Sequence, residues 1–196
     1  EFQRLEKQFN EKKQWVDGVP KLKTLSQIFK ERGGYEELRS IKGSEMVGWK
    51  YEGPYDNFEA QKEFGGYPHV NDDLKGKRIN SAENHKVIDP GKDAIGNDIV
   101  VAGEGTGIVH MAPGCGDIDH SVGKNLGLIN IAPLNDESRF INKFGWLTGK
   151  LATDKETTEE IINDLKKRNF LVHAEDYPHV YPHCWRSGDE LVFRLV

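Results

Sequence analysis

Glu104 to Gly127 reads E-G-T-G-I-V-H-M-A-P-G-C-G-D-I-D-H-S-V-G-K-N-L-G. A Gly105-Thr106-Gly107 turn leads into a short apolar run, Ile108-Val109, that ends on His110. A second turn, Pro113-Gly114-Cys115-Gly116, follows directly, and Asp117-Ile118-Asp119 then opens a helix over residues 117–126. Glycine permits close backbone approaches that a side chain would block, so two glycine-rich turns around one strand read as a site rather than as scaffold. The spacing places His110 and Asp119 at the two ends of this segment, facing one cleft.

Outward from this stretch the chain is a patchwork of short apolar pieces. Met46–Tyr51, His85–Ile88 and Ile99–Ala102 precede it, and Ile129–Ile131, Phe140-Ile141 and Phe170–Val172 follow. Gly, Pro, Asn and Asp separate them, the pattern of strands joined by turns. Gly96-Asn97-Asp98 reads as a hairpin turn, and Asn135–Ser138 as another. Between Pro54 and Ser81 there is little periodicity, which predicts a long surface excursion. Thr153 with Glu156 forms a capping box for a helix carrying Ile161, Ile162 and Leu165 and ending near Asn169. Upstream, Phe2, Leu5 and Phe9 mark a weak amphipathic helix. Pro20 suits the first turn of a second one, with Leu22, Leu25, Ile28 and Phe29 as its stripe and Gly33-Gly34 as its stop. The expected organisation is a helical segment over residues 1–34 packed on a domain spanning 35–196. Many short strands with few helices predict a mainly β (α+β) fold, a closed or nearly closed β-barrel with peripheral helices.

Composition narrows the function. A chain of 196 residues with 36% hydrophobic and 30% charged content fits a soluble domain able to bury a core. No apolar stretch approaches a membrane span and no segment has signal-peptide form, so no membrane partner and a cytoplasmic location are expected. Cys115 and Cys184 are too few for a disulfide framework, and the spacing of His110, Cys115, Asp117, Asp119 and His120 matches no standard metal site. The net charge of -5 excludes a dedicated nucleic-acid coat but leaves room to grip one RNA end locally. By spacing alone, Asp119 is a carboxylate where a helix dipole favours one, and His110 a lone structural histidine.

G-T-G-I-V-H-x-A-P-G-x-G-x-x-D followed by V-G-x-x-x-G-L resembles the signature of the editing domain inserted into isoleucyl-tRNA synthetases, which are class I aminoacyl-tRNA synthetases. Asp176–Arg186, D-Y-P-H-V-Y-P-H-C-W-R, is similar to the S-Y-P-H-C-W-R segment where that insert returns to the catalytic domain. The resemblance covers about residues 40 to 196, with two motifs in the right order. His110 stands where valine enzymes usually carry Lys, which favours the isoleucine family. Cys115 and Ser187 depart from it, since His and Cys are commoner at those positions.

The resemblance implies a β-barrel that hydrolyses the ester of valine mischarged onto isoleucine tRNA. It assigns Asp119 to the substrate's α-ammonium and His110 to the acyl pocket. Gly105, Thr106 and Gly107 would frame the terminal adenosine, with Met111, Pro113 and Cys115 as further pocket residues. Water is the implied nucleophile, with no cofactor and no metal in the domain. ATP and magnesium are implied only for the full synthetase, because the chain carries no H-I-G-H-like or K-M-S-K-S-like motif. The threonine-rich W-T-T-x-P-W-T-L run that precedes the domain in the family is also absent from these residues. The implied partners are the mischarged 3′ end of isoleucine tRNA and the remainder of the synthetase. Two alternatives stand beside this reading: a non-catalytic barrel binding aminoacyl-adenosine or an RNA end, and the editing domain of a valyl-type synthetase.

Overall fold

The computed structural model describes residues 23–101, 107–176 and 181–195. The chain divides into two units, one within Glu1–Glu36 and Val172–Leu191, the other within Glu37–Leu171 and Val192–Val196. The helix expected around Phe2, Leu5 and Phe9 lies outside the described residues.

In the first unit the apolar stripe is met by helix α1, Leu25–Glu31. Its cap is Thr24, four residues beyond Pro20: the hydroxyl accepts from the Gln27 N–H at 3.3 Å, and the Gln27 side chain accepts from the Thr24 N–H at 2.8 Å. Two orphan amides are thus satisfied reciprocally. Ile28 is the buried member of the stripe, and the helix stops at Gly33 and Gly34, both at positive φ. Phe29 and Tyr35 rings pack at 6.3 Å beyond the stop. Tyr181 and Trp185 of the Tyr181–Arg186 segment are exposed. Trp185 is 86% exposed, with the Arg186 guanidinium over its ring at 4.8 Å. The turn it sits in is closed by the Cys184 N–H donating to the Asp189 carbonyl and the Leu191 N–H donating to that of Pro182.

The second unit is not a closed β-barrel. Among the described residues pairing stops at isolated bridges, and no continuous sheet forms. Some expected strands do meet: Gly48–Tyr51 lies antiparallel to His85–Val87, with Val87 N–H donating to the Trp49 carbonyl at 2.8 Å and Gly48 N–H to that of Val87 at 2.9 Å. Both predicted turns form as well. Lys92 pairs with Asp98 around Gly96, and Leu134 with Phe140 around a turn in which Asn135 accepts from the Arg139 N–H. The apolar runs fall short of a sheet because each is only a few residues long; even Phe140-Ile141, flanked by Pro133-Leu134 on one side and Lys150-Leu151 on the other, is joined by isolated bridges alone. A ladder needs several residues and, in a barrel, two neighbours for each strand. Ile108 and Val109, the strand expected before His110, are exposed.

Short helices and loops carry the structure instead. After the four-residue α2, Gly43–Met46, come α3, Asp117–Leu126, and α4, Lys155–Lys167. Helix α3 matches the sequence reading and ends on Gly127 at φ 63, where a residue without Cβ is favoured. Helix α4 begins one residue later than the Thr153 capping box implied: Asp154 is the cap, its carboxylate accepting from the Glu156 N–H at 3.1 Å. The expected end near Asn169 holds, with Asn169 at φ 60.

The core overturns the surface excursion between Pro54 and Ser81. Phe58 and Ala60, with Ala60 at 0% exposure, join Phe144 and Leu147 as its buried centre. Tyr55, Tyr67, Ile131, Phe140, Ile141 and Ile161 pack around them. Apart from Ile161 on α4, these residues sit on 3-10 turns and loops, which bury apolar side chains without a repeat that sequence periodicity could register. Beside the core, two buried amides are paired. Asn130 donates to Asn71 at 2.6 Å, and Asn71 donates to the Leu128 carbonyl at 3.1 Å. The end of α4 is fastened by Arg168, which lies over the Tyr55 and Phe170 rings and donates to the Pro54 carbonyl at 2.5 Å.

Two glycines admit the backbone of residues 130–131. A Cβ on Gly66 would overlap the Asn130 carbonyl oxygen, and one on Gly114 would overlap that of Ile131. Overpacking of this kind costs typically about 1–3 kcal/mol. Gly114→Ala should therefore lower stability by about that amount in urea denaturation, whereas Gly43→Ala, whose Cβ enters open space, should not. Equal midpoints for Gly114→Ala and wild type would show that the close approach is absent.

Candidate functional site

The loop from His110 to Gly116 is folded back on the first turn of α3. Gly116 is the N-cap, at φ -150 and ψ 147, and it supplies no side-chain cap. Asp117 and Asp119 both lie in the first turn, where the partial positive charge of the helix end favours carboxylates. They differ in setting: Asp117 is exposed, Asp119 half-buried. The Asp119 Oδ2 accepts a hydrogen bond from the Ala112 N–H at 2.8 Å. His120, next along the helix, places Nδ1 3.2 Å from the Pro113 carbonyl, which only accepts and so takes the Nδ1 proton. Two consecutive helix residues thus hold two consecutive loop residues.

Pro113 is also held from the helix side. A Cβ on Gly123 would come within 2.7 Å of the Pro113 ring, so this glycine lets loop and helix touch. Met111 and Pro113 are half-buried, while His110 is exposed and has no fixed partner among the described residues. Gly107 is exposed at φ 74. Gly105 and Thr106 lie outside the described residues. The structure therefore gathers Ala112, Pro113, Cys115 and Asp119 around one loop and leaves the His110 ring open to solvent.

Cys115 is not set up as a nucleophile. Although the residue is exposed, atoms crowd its thiol, and this desolvation, with the Asp119 charge beside it, pushes its pKa up. Cys184, in the other unit, moves the opposite way. A hydrogen bond from the Ser187 hydroxyl, then the Ser187 and Arg186 amides, favours its thiolate and lowers its pKa. Among the described residues no group of three or more His, Cys, Asp or Glu is arranged to hold a metal, and no helix is long and apolar enough to cross a membrane.

Sequence reasoning missed the backbone partner of Asp119 at Ala112. The A-P-G-x-G spacing held the signal: a carboxylate seven residues past an amide, across two glycines, can reach back to it. A second cluster carried no such signal. Asp56 and His85 pair at 3.0 Å, with Tyr51 stacked on the His85 ring at 5.2 Å.

No family model matches the chain. Among curated proteins it is similar to the isoleucine–tRNA ligase of Sulfolobus acidocaldarius, at 36% identity over 83% of this chain and 13% of that protein. The Methanocaldococcus jannaschii isoleucine–tRNA ligase is 32% identical over 98% of the chain and 17% of its own length. That of Aquifex aeolicus is 35% identical over 81% and 15%. The chain thus spans less than a fifth of the length of these relatives.

The two cysteines give a test of the local electrostatics. With limiting iodoacetamide near neutral pH, Cys184 should be alkylated before Cys115, although Cys115 is the more exposed residue. Peptide mapping after partial labelling reads the order, and faster labelling of Cys115 would contradict the assigned shifts.

Proposed function

Because the chain belongs to the isoleucine–tRNA ligase family as a domain of the synthetase, we propose that it performs the editing step: hydrolysis of valine mischarged onto isoleucine tRNA. The observation that carries this reading is the fixed carboxylate of Asp119. One oxygen is committed to the Ala112 N–H, and the other has no partner among the described residues. A carboxylate held in this way is a receptor for an ammonium group, and a free α-ammonium distinguishes an aminoacyl ester from most acylated molecules.

The chemical need for such a step is energetic. One methylene is worth only about 1–3 kcal/mol in an apolar pocket, a limit for which isoleucine against valine is itself the standard example. A second site that accepts only the smaller side chain removes the error. In this scheme Asp119 anchors the ammonium and His110 borders the acyl group. Gly105, Thr106 and Gly107 frame the terminal adenosine, and Met111, Pro113 and Cys115 line the pocket. Water attacks the ester carbonyl carbon, and the neighbouring ribose hydroxyl takes part in orienting it. The acyl C–O bond breaks, releasing valine and the free tRNA hydroxyl. No cofactor or metal enters the step, and ATP and magnesium serve only the full enzyme. The remainder of the synthetase brings the tRNA, and the reaction takes place in the cytoplasm. The open setting of His110 favours a second reading, a module that binds the aminoacyl end without hydrolysing it.

Release of valine from valyl-tRNA above the spontaneous rate separates the two. Asp119→Ala should reduce that release by about ten- to a hundredfold, the worth of a hydrogen bond to a charged group. Wild-type deacylation by the variant would remove Asp119 from the scheme.

His110 tests the sieve. Isoleucine offers no polar group that valine lacks, so it must be rejected by bulk, and one extra methylene forced into a packed site costs roughly 1–3 kcal/mol. His110→Ala should raise hydrolysis of isoleucyl-tRNA about tenfold or more while valine hydrolysis persists at a lower rate. Loss of valine hydrolysis with no gain on isoleucine would instead make His110 a general base.

A further inference from the structure

We infer that Gly116 is a positioning residue for Asp119: its missing side chain is the space through which the carboxylate reaches the Ala112 amide. The inference deepens the editing reading and rests on it for its catalytic meaning, though not for its geometry.

Backbone conformation does not call for glycine at 116. At φ -150 and ψ 147 the residue is extended, a conformation any residue adopts. Helix capping does not call for it either. Ser, Asp or Asn at the N-cap would satisfy a first-turn amide of α3, whereas Gly116 provides no side-chain cap. What surrounds the position is Asp119 itself. A Cβ on Gly116 would lie 3.1 Å from the Asp119 Cγ, 3.2 Å from its Oδ2 and 3.5 Å from its Cβ, and these are its three nearest neighbours. The chain forgoes a cap at this point, and the carboxylate takes the vacated space. Its Oδ2, the atom nearest the absent Cβ apart from Cγ, is the one that accepts from Ala112 at 2.8 Å.

Restoring a side chain separates position from fold. The overlap falls on the end of a rotatable side chain rather than on backbone, so Asp119 gives way by a few tenths of an ångström and the helix remains. The Ala112 bond weakens, and the second oxygen moves with the first. Misplacement by about 1 Å costs on the order of a hundredfold in rate, so this smaller shift should cost roughly three- to tenfold.

The test uses the whole 196-residue chain with Gly116→Ala and the bulkier Gly116→Val. In wild type the Ala112 amide proton resonance should move as the Asp119 carboxyl is protonated in an acid titration, and this movement should vanish in Asp119→Asn. In Gly116→Ala it should fall to less than half, and in Gly116→Val further, while the melting temperature stays within a few degrees of wild type. The kcat/KM for valyl-tRNA should fall in the same order. An unchanged Ala112 titration in both variants overturns the positional role whatever the activity does. A lost titration with undiminished deacylation overturns its catalytic meaning. Undiminished deacylation in Asp119→Ala is a different result, which removes the editing assignment of Asp119 and leaves the Gly116 geometry standing.

Discussion

Residues 130 and 131 run between two glycines, and the second unit depends on that contact. The Tyr67 N–H donates to the Asn130 carbonyl at 3.2 Å, and the Ala132 N–H donates to that of Tyr67 at 2.9 Å. Backbones this close leave no room for Cβ atoms at Gly66 or Gly114. One side of the contact belongs to the core, since Tyr67 and Ile131 pack on its buried centre. The other side is the Pro113-Gly114 turn, and Pro113 in turn rests on Gly123 of α3. Core and turn are therefore linked through backbone contacts, and turn and helix through the rigid Pro113 ring, rather than through long side chains. Such contacts tolerate little displacement, because close-packed backbone has no rotamers with which to adjust.

The position of Asp119 follows from this linkage. The turn fixes Ala112 and Pro113, the helix fixes residues 119 and 120, and two hydrogen bonds join them. The loop between them brings a carboxylate, a crowded thiol and a backbone amide together within eight residues of chain, Ala112 to Asp119. The local folding is short-range, but its anchor at Ile131 is not.

Sequence reading succeeded where structure is local. Helix α3, the turn at Asn135–Ser138 and the hairpin around Gly96 are written in adjacent residues, through caps, glycines and side chains that bond their own backbone. Asp119 and the A-P-G-x-G turn were legible for the same reason. The barrel was not: alternation of apolar and turn residues indicates extended chain but says nothing of which edges meet, and here most do not. Burial at Phe58 and Ala60 was hidden for another reason, since neither residue belongs to a periodic face. Gly116 was visible as a glycine, yet its meaning required the rotamer of a side chain three residues on.

The Arg168 fastening has a kinetic consequence. Its guanidinium joins the end of α4 to Pro54, 114 residues earlier, and the signature loop lies inside the circuit so closed. Closing a circuit of that length is entropically costly before any contact rewards it, although the cost grows only with the logarithm of length. The described core is also assembled from segments distant in the chain, with Phe58 and Phe144 in one cluster and Tyr67 bridged to Ile131. Chains dominated by such distant pairings fold slowly compared with helical bundles of similar size. During synthesis on the ribosome, the Pro54–Ser81 stretch must then wait for about sixty further residues to emerge before its downstream aromatic partners exist, exposed in the interval to whatever holds nascent chains.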